Sequence, residues 1–228
     1  MKVSALLPVK GFRNAKQRLS PLLGAADREL LAEAMFRDVL REVTRARGLE
    51  ATFVVTGNER VAEIATALGA QVIREPVETG ETGAVDFARL ELKRAGCEAV
   101  LILPGDMPLV RASDIEQVLA QVPADAGAPF ALLVPSHDRL GTNALLLAPP
   151  DVIKLRFGYD SFTYHLSQVS AQGLPLRFFE NEAIGLDIDE PQDLRRFLAV
   201  GCDDGETYRL ASGLVVQAEA YLRRSGGA

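Results

Sequence analysis

The sequence predicts an α/β protein built on a mostly parallel central sheet that helices cover on both faces. Short, continuously apolar runs alternate with segments whose apolar residues recur at helical spacing over the first half of the chain. Continuously apolar runs are typical of strands that are buried on both faces, as in parallel sheets. Glycines follow several helical segments, where helices commonly end. In such a fold the strands end at one edge, where ligands bind.

The first half of the chain contains predicted strands and helices in strict alternation. The strands span 3–7, 51–55, 70–74 and 99–103, and the helices span 26–47, 59–68 and 82–95. In the first helix, the residues predicted to face the core are Leu30, Leu31, Ala34, Met35, Val39 and Val43. Gly48, Gly69 and Gly96 mark the ends of these helices.

The second half contains further strands and ends in an amphipathic segment. The capping-box pattern Ser113–Glu116 opens a helix. Strands are predicted over 130–135, 143–147 and 183–189, and the second of them belongs to an antiparallel excursion. A loop and a short helix are predicted over 149–164. A helix through 199 follows the last strand, and an amphipathic segment spans 208–222. We predict one Rossmann-like domain over residues 1–200 and a C-terminal helical extension over 201–228 with a flexible end.

Composition places the chain among soluble globular proteins. Its 228 residues suit one domain, and 48% of them are hydrophobic while 25% are charged. The net charge of -6, without a basic stripe, argues against nucleic acid as a partner. No run of about 18 apolar residues and no leader pattern are present, so we expect no membrane association and a cytoplasmic location. Cys97 and Cys202 are too few for a disulfide framework or a zinc site, and we expect reduced structural thiols.

The loop after the first strand carries a cluster of positive charge in an acidic protein. Its cations are Lys10, Arg13, Lys16 and Arg18. A strand that runs into a cationic loop before a helix is where an open α/β sheet usually binds a phosphorylated ligand. The alternative is a solvated loop with ordinary surface charges. Two acidic motifs further along the chain favour phosphate binding.

The first acidic motif places Asp106 just beyond the strand 99–103. An Asp at this point, with Gly105 before it and Pro108 after it, is well placed to hold a divalent cation. The alternative is that Asp106 only caps a turn, since Asp beside Gly is common in turns.

The second acidic motif spans 187–194. Because alternate residues of a strand share a face, Asp187 and Asp189 would project together. Two carboxylates that point together repel, and a bound cation usually relieves the repulsion. Magnesium suits such hard oxygen ligands. The alternative makes Asp189 the N-cap of the following helix, with Pro191 in its first turn, and both assignments can hold together.

Together, the cationic loop and the two acidic motifs resemble nucleotidyltransferases of the glycosyltransferase-A-like type. The first loop differs from the sugar-nucleotide form Leu-Ala-Gly-Gly-x-Gly-x-Arg, because Pro8-Val9-Lys10 replaces its glycines. In this form it is similar to the CofC/FbiD family, the 2-phospho-L-lactate or phosphoenolpyruvate guanylyltransferases of coenzyme F-420 biosynthesis. The resemblance covers nearly the whole chain and rests on Pro8-x-Lys10, Ala15-Lys16-x-Arg18-Leu19, Gly105-Asp106-x-Pro108-Leu109, Gly141-Thr142-Asn143-Ala144-Leu145-Leu146-Leu147, Arg156-Phe157-Gly158-x-x-Ser161-Phe162-x-x-His165 and Asp187-Ile188-Asp189-x-Pro191-x-Asp193-Leu194.

The resemblance implies a reaction and a set of site residues. The reaction is transfer of GMP from GTP to a small phosphorylated carboxylic acid, with Mg2+ as cofactor and pyrophosphate as by-product; 2-phospho-L-lactate, phosphoenolpyruvate and 3-phospho-D-glycerate are the candidate acids. The implied metal ligands are Asp106, Asp187 and Asp189, and the implied contacts to the acid are Thr142, Gly158 and Ser161. The implied catalytic residues are Lys10, Lys16, Arg18 and Asp106, and the implied nucleotide contacts are Pro8, Lys10, Arg13, Lys16 and Asp106.

One segment departs from the family pattern. The family often has Gly-Leu-Asn-x-Ala after the third strand, near the nucleoside, whereas this chain has Gly80-Glu81-Thr82-Gly83-Ala84. The reaction type is therefore better specified than the nucleobase.

Other catalytic motifs are missing, which is consistent with this chemistry. No Ser/His/Asp or Cys/His motif is recognisable. A phosphate that is already largely dianionic near pH 7 needs no strong base, so alignment and charge neutralisation suffice. His165, beside Ser161, could touch the acid, but a packed or surface histidine is the favoured interpretation.

Two other functions stay open. One is a guanylyl- or cytidylyltransferase of the same fold that acts on a sugar phosphate or molybdopterin, and the glycine-poor first loop argues against it. The other is a non-catalytic nucleotide-binding protein, and retention of all three aspartates argues against that. The C-terminal amphipathic segment is also a candidate homodimer interface.

Overall fold

A computed structural model of the protein describes residues 1–75, 77, 79–123, 127–201 and 205–225, with side chains to residue 218. The predictions for Cys202 and for the flexible end lie outside these residues. Cys97 is a free thiol whose Sγ lies 3.1 Å from the carbonyl oxygen of Ala99, as expected of a reduced structural cysteine. No helix in the described part of the chain is both long enough and apolar enough to span a bilayer.

The described strands form one mixed, mostly parallel sheet. They are β1 (Val3–Pro8), β2 (Leu49–Thr56), β3 (Gln71–Arg74), β4 (Ala99–Ile102), β5 (Phe130–Pro135), β6 (Thr142–Ala148) and β7 (Arg177–Phe178). The sheet order is β3-β2-β1-β4-β6-β5-β7, and β6 runs antiparallel to both of its neighbours while the other pairs are parallel. This confirms the predicted parallel sheet with an antiparallel excursion.

Helices cover both faces of the sheet, so alternate strand residues enter two apolar layers. The helices are α1 (Ala25–Arg45), α2 (Glu59–Ala67), α3 (Gly80–Arg94), α4 (Ala112–Leu119), α5 (Ser161–Ala171), α6 (Glu182–Gly185), α7 (Pro191–Val200) and α8 (Glu206–Ser225), with a short 3-10 turn at Gln17–Leu19. On β1, Leu7 joins the layer beneath α1, whereas Leu6 joins the layer beneath α3 and α5. This alternation is the two-residue period of a strand.

The predicted buried face of α1 is correct at every position except one. Leu31, Met35, Val39 and Val43 are fully buried, but Leu30 is 55% exposed. A helix rotates by 100° per residue, so Leu30 falls to the side of the stripe that runs through Leu31.

The predicted strand over 183–189 is wrong. Glu182–Gly185 forms the short helix α6, which begins where the Asn181 side chain accepts the N–H of Ile184. The following residues cross the end of the sheet as an irregular segment, and the N–H of Ile188 donates to the carbonyl of Asp106. A short apolar run does not distinguish a strand from a buried turn of helix.

Two predicted helix starts also move by one or two residues. The N-cap of α4 is Arg111 rather than Ser113, and the carboxylate of Asp114 accepts its N–H. The N-cap of α7 is Glu190 rather than Asp189, with Pro191 at the first helical position as expected.

The C-terminal helix α8 packs against α1. The carboxylate of Asp38 accepts the backbone N–H groups of Glu206 and Thr207, which caps the start of the helix. Phe197 and Tyr208 meet edge to face with ring centroids 6.0 Å apart. Division into a domain over 1–200 and an extension over 201–228 stays a prediction.

Candidate active site

A cleft opens where β1 and β4 end, and it contains two adjoining cavities. The larger has a volume of about 400 Å³ and the smaller about 230 Å³. Glu81, Pro104 and Asp106 line both cavities, so they mark the junction between them. The carboxyl ends of parallel strands at a change of strand order are the expected position for a ligand.

Lys16 lines the smaller cavity and contacts Asp106 at this junction. Its Nζ lies 2.6 Å from Asp106 Oδ2 and 2.8 Å from Asp189 Oδ1, and its side chain is only 9% exposed. Burial alone would lower the pKa of this amine, but the charges of Asp106 and Asp189 raise the pKa of Lys16 above its usual value. The cleft therefore holds a permanent positive charge between two carboxylates.

Backbone geometry brings Lys16 and Asp106 together. Lys16 has a φ of 52°, in the left-handed region, which turns its side chain back toward the end of β4. At Gly105, a Cβ would lie 3.2 Å from Phe36 and 3.4 Å from Val9, so any larger residue would crowd this approach.

Asp187 and Asp189 converge on Asp106 without belonging to a strand. Asn143 donates to Asp187 Oδ1 at 3.0 Å and to the carbonyl of Ile184, which fixes the irregular segment. Burial, and then the negative charge of Asp106, raise the pKa of Asp187. The three aspartates predicted from the sequence therefore share one electrostatic environment, although the predicted strand that would align two of them does not exist.

The donor chemistry of the cleft suits a hard cation. In the described residues, no group of three or more Asp, Glu, His or Cys side chains is arranged as a metal site, and the positive charge between the carboxylates is the Lys16 amine. However, Asp106 Oδ1 is buried and has no hydrogen-bond partner. A buried carboxylate oxygen without a partner is costly unless a ligand satisfies it, so the site fits a divalent cation.

The cationic loop contributes unequally to the cleft. Pro8 and Lys10 line the smaller cavity, and Arg18 lines the larger. Arg18 is 70% exposed and lies 3.8 Å from a carboxylate oxygen of Asp189. Arg13 is exposed and lines neither cavity, so its predicted nucleotide contact stays a prediction.

The smaller cavity has largely apolar walls. Its lining includes Phe12, Met35, Phe36 and Ala84, next to the backbone of the cationic loop. Such a slot accepts a flat uncharged ring, with charged groups of the same ligand reaching toward Lys16.

The larger cavity contains the residues that the resemblance assigns to the acid. Thr142, Gly158 and Ser161 all line it, and the N–H of Thr142 donates to Ser161 Oγ at 3.0 Å. Gly158 has a φ of 102°, which other residues rarely adopt. His165 is fully buried behind this wall, so the favoured interpretation of a packed histidine is confirmed.

Sequence reasoning missed Glu81 as a component of the site. Glu81 lies at the exposed start of α3, yet its carboxyl faces the cleft from the junction of the cavities. Withdrawal of the carboxyl from bulk water, and then the charges of Asp106 and Asp189, raise the pKa of Glu81 to about 7. The only signal in the sequence was that residues 80–84 depart from the family pattern.

Glu81→Gln is expected to stabilise the metal-free protein at about pH 8 and to leave it nearly unchanged at about pH 4. The folded-state pKa of about 7 exceeds the ordinary value of 4.5, so the protein loses stability as the pH rises from about 4.5 to about 7. Melting temperatures measured in chelator across this range test the sign. Glu63→Gln, at a 61% exposed side chain, is the control, and equal effects of Glu81→Gln at both pH values would contradict the assignment.

Sequence comparisons find relatives that match most of the chain. Residues 3–220 match the model of a family described as CofC-like guanylyl transferases. A phosphoenolpyruvate guanylyltransferase of Conexibacter woesei is 36% identical over 85% of this chain and 86% of its own. A 2-phospho-L-lactate guanylyltransferase of Methanothermobacter thermautotrophicus is 32% identical over 88% and 86%, and a 3-phospho-D-glycerate guanylyltransferase of Phenylobacterium zucineum is 34% identical over 83% and 86%.

A comparison of structures supports the fold. A crystal structure from Desulfovibrio desulfuricans G20, described as a candidate nucleotide-diphospho-sugar transferase, superposes with a TM-score of 0.76. It covers 96% of this chain and 99% of its own, at 18% sequence identity. The nucleotidyltransferase fold is therefore shared, and the identity is too low to carry substrate information.

Proposed function

This chain belongs to the family of CofC-like guanylyl transferases, and we propose that it transfers GMP from GTP to the phosphate of a small phosphorylated acid. One observation carries the proposal: the Lys16 amine is held between Asp106 and Asp189 where the two cavities meet. GTP would place its base in the smaller cavity and its phosphates beside Lys16. The acid would lie in the larger cavity.

The chemistry needs alignment and charge neutralisation. An oxygen of the acceptor phosphate attacks the α-phosphorus of GTP, a new P–O bond forms, and the bond to the β-phosphate breaks to release pyrophosphate. The attacking phosphate is already largely dianionic near pH 7, so no general base is required. Lys10, Lys16 and Arg18 lower the repulsion between the two anions, and the raised pKa of Lys16 keeps its amine charged.

We assign Asp106, Asp187 and Asp189 as the residues that would hold Mg2+. The buried, unpartnered Oδ1 of Asp106 supports this assignment. When bound, the ion would neutralise phosphate charge and polarise the reacting phosphoryl group.

The acid is proposed to be phosphoenolpyruvate, 2-phospho-L-lactate or 3-phospho-D-glycerate, the substrates named for the relatives above. We also propose that the enzyme acts in coenzyme F-420 biosynthesis and that it is cytoplasmic. Homodimer formation through the C-terminal segment remains a separate proposal.

The experiment is an end-point assay with purified protein, GTP, Mg2+ and each acid in turn. Pyrophosphate release and the product mass are measured together, and reactions without acid or with ATP or CTP are the controls. We expect a product that contains GMP and one of the acids. Pyrophosphate release with CTP but not with GTP would favour a cytidylyltransferase, and no release with any acid would reject the proposal.

Ser161→Ala is expected to raise the KM for the acid about fivefold to tenfold and to change the KM for GTP little. The substitution removes a hydroxyl at the larger cavity and leaves the Thr142 N–H without its acceptor. Initial rates with each substrate varied separately test this. An unchanged KM for the acid would mean that the acid does not bind at this wall of the cavity.

A further inference from the structure

His165 has a fixed environment behind the wall of the larger cavity. Its ring packs edge-on against Phe157 and Tyr164, with ring centroids 5.6 and 5.8 Å away. The backbone N–H of Arg156 points at its Nε2 at 3.2 Å, and Thr142 Oγ1 lies 3.0 Å from its Nδ1. Because the side chain is fully buried and both nitrogens have partners, the ring has one defined orientation.

These contacts fix where the ring carries its proton. A backbone N–H can only donate, so Nε2 must present a lone pair to Arg156. Burial, and then the positive charges of Arg156 and Arg89, lower the pKa of His165 to about 4, so the ring is neutral near pH 7. A neutral ring with a bare Nε2 carries its proton on Nδ1, which therefore donates to Thr142 Oγ1.

The Nδ1 proton decides what the Thr142 hydroxyl can do. Since Oγ1 accepts from His165, the hydroxyl proton of Thr142 must go to another acceptor. Ser161 Oγ is constrained in the same way, because it accepts the N–H of Thr142. Within the described part of the chain, neither hydroxyl proton has a protein acceptor, and both residues line the larger cavity.

We propose that His165 is a positioning residue: it holds the Thr142 hydroxyl as a hydrogen-bond donor to an anionic oxygen of the acid in the larger cavity. His165 itself does not touch the acid. The identity of the ligand rests on the proposed function, whereas the tautomer and the direction of donation rest on the contacts within the protein.

Nitrogen-15 NMR of the wild-type protein tests the tautomer directly. The chain has two histidines, and His137→Gln assigns the signals. We expect His165 near pH 7 to be neutral, with its proton on Nδ1 and a pyridine-type signal from Nε2. A proton on Nε2, or averaging between tautomers, would overturn the proposal.

Kinetics test the consequence for the acid. His165→Asn keeps an N–H donor near the position of Nδ1, whereas His165→Phe removes it. We expect His165→Phe to raise the KM for the acid about tenfold, with little change for GTP, and His165→Asn to restore most of the loss. In a Thr142→Val background, His165→Phe should add nothing further. Equal rises in both KM values, or additive effects, would contradict the proposal.

The two failures are distinguishable. If the wild-type protein is inactive with every acid, the proposed function fails, and the NMR result still decides the tautomer. If the wild-type protein is active but His165→Phe does not fold, Thr142→Val carries the kinetic test. An unchanged KM for the acid in Thr142→Val would then overturn the role of the hydroxyl.

Discussion

Asp106→Asn is expected to lower the rate of pyrophosphate release by at least about 10³-fold, because it removes charge at the proposed meeting point of the two substrates. Stability should change by less than about 1 kcal/mol. The substitution weakens the contact to Lys16, but it also removes the repulsion from Asp187 and supplies an amide of the same shape. Initial rates and thermal unfolding of the same preparation measure the two effects separately.

Asp151→Asn is the matched control for this variant. Asp151 pairs with Lys93 at 2.6 Å, just after β6, at the edge of the sheet opposite the cleft. It loses the same charge without altering the site, so it should retain full turnover. Near-normal turnover in Asp106→Asn would contradict a catalytic role for that residue. If Asp106→Asn also binds Mn2+ more weakly than the wild type does, that result would further support Asp106 as a metal ligand.

The parallel part of the sheet was predictable because local signals and tertiary structure agree there. The strands β1 and β4 are apolar at nearly every position, and burial on both faces explains that pattern. The segment 183–189 gave a false signal for the opposite reason. Ile184, Leu186 and Ile188 are all buried at alternate positions, but a turn of helix and an irregular crossing achieve this burial.

The site was predictable as a set of residues but not as an arrangement. The motifs identified Lys16, Asp106 and Asp189, which lie up to 173 residues apart in the chain. The position of Lys16 between the two carboxylates depends on its positive φ. A lysine in the sequence does not predict this backbone conformation. The raised pKa of Glu81 likewise arises only on folding, which withdraws its carboxyl from water and also brings the charges of Asp106 and Asp189 close to it.

Lys16→Met is expected to abolish measurable turnover and to destabilise the metal-free protein by about 1–3 kcal/mol. The variant keeps the apolar stem of the side chain but removes the charge that Asp106 and Asp189 share. Two partly buried carboxylates would then face each other without a counter-charge. Pyrophosphate release and denaturant unfolding in chelator measure both consequences.

The response to magnesium separates this explanation from a simple packing defect. If Lys16 and the divalent ion neutralise the same carboxylates, added Mg2+ should raise the melting temperature of Lys16→Met more than that of the wild type. Lys93→Met, which breaks the surface pair with Asp151, should respond to Mg2+ as the wild type does. Equal responses in all three proteins would mean that the ion binds elsewhere, and the aspartates would then lose their assignment as its ligands.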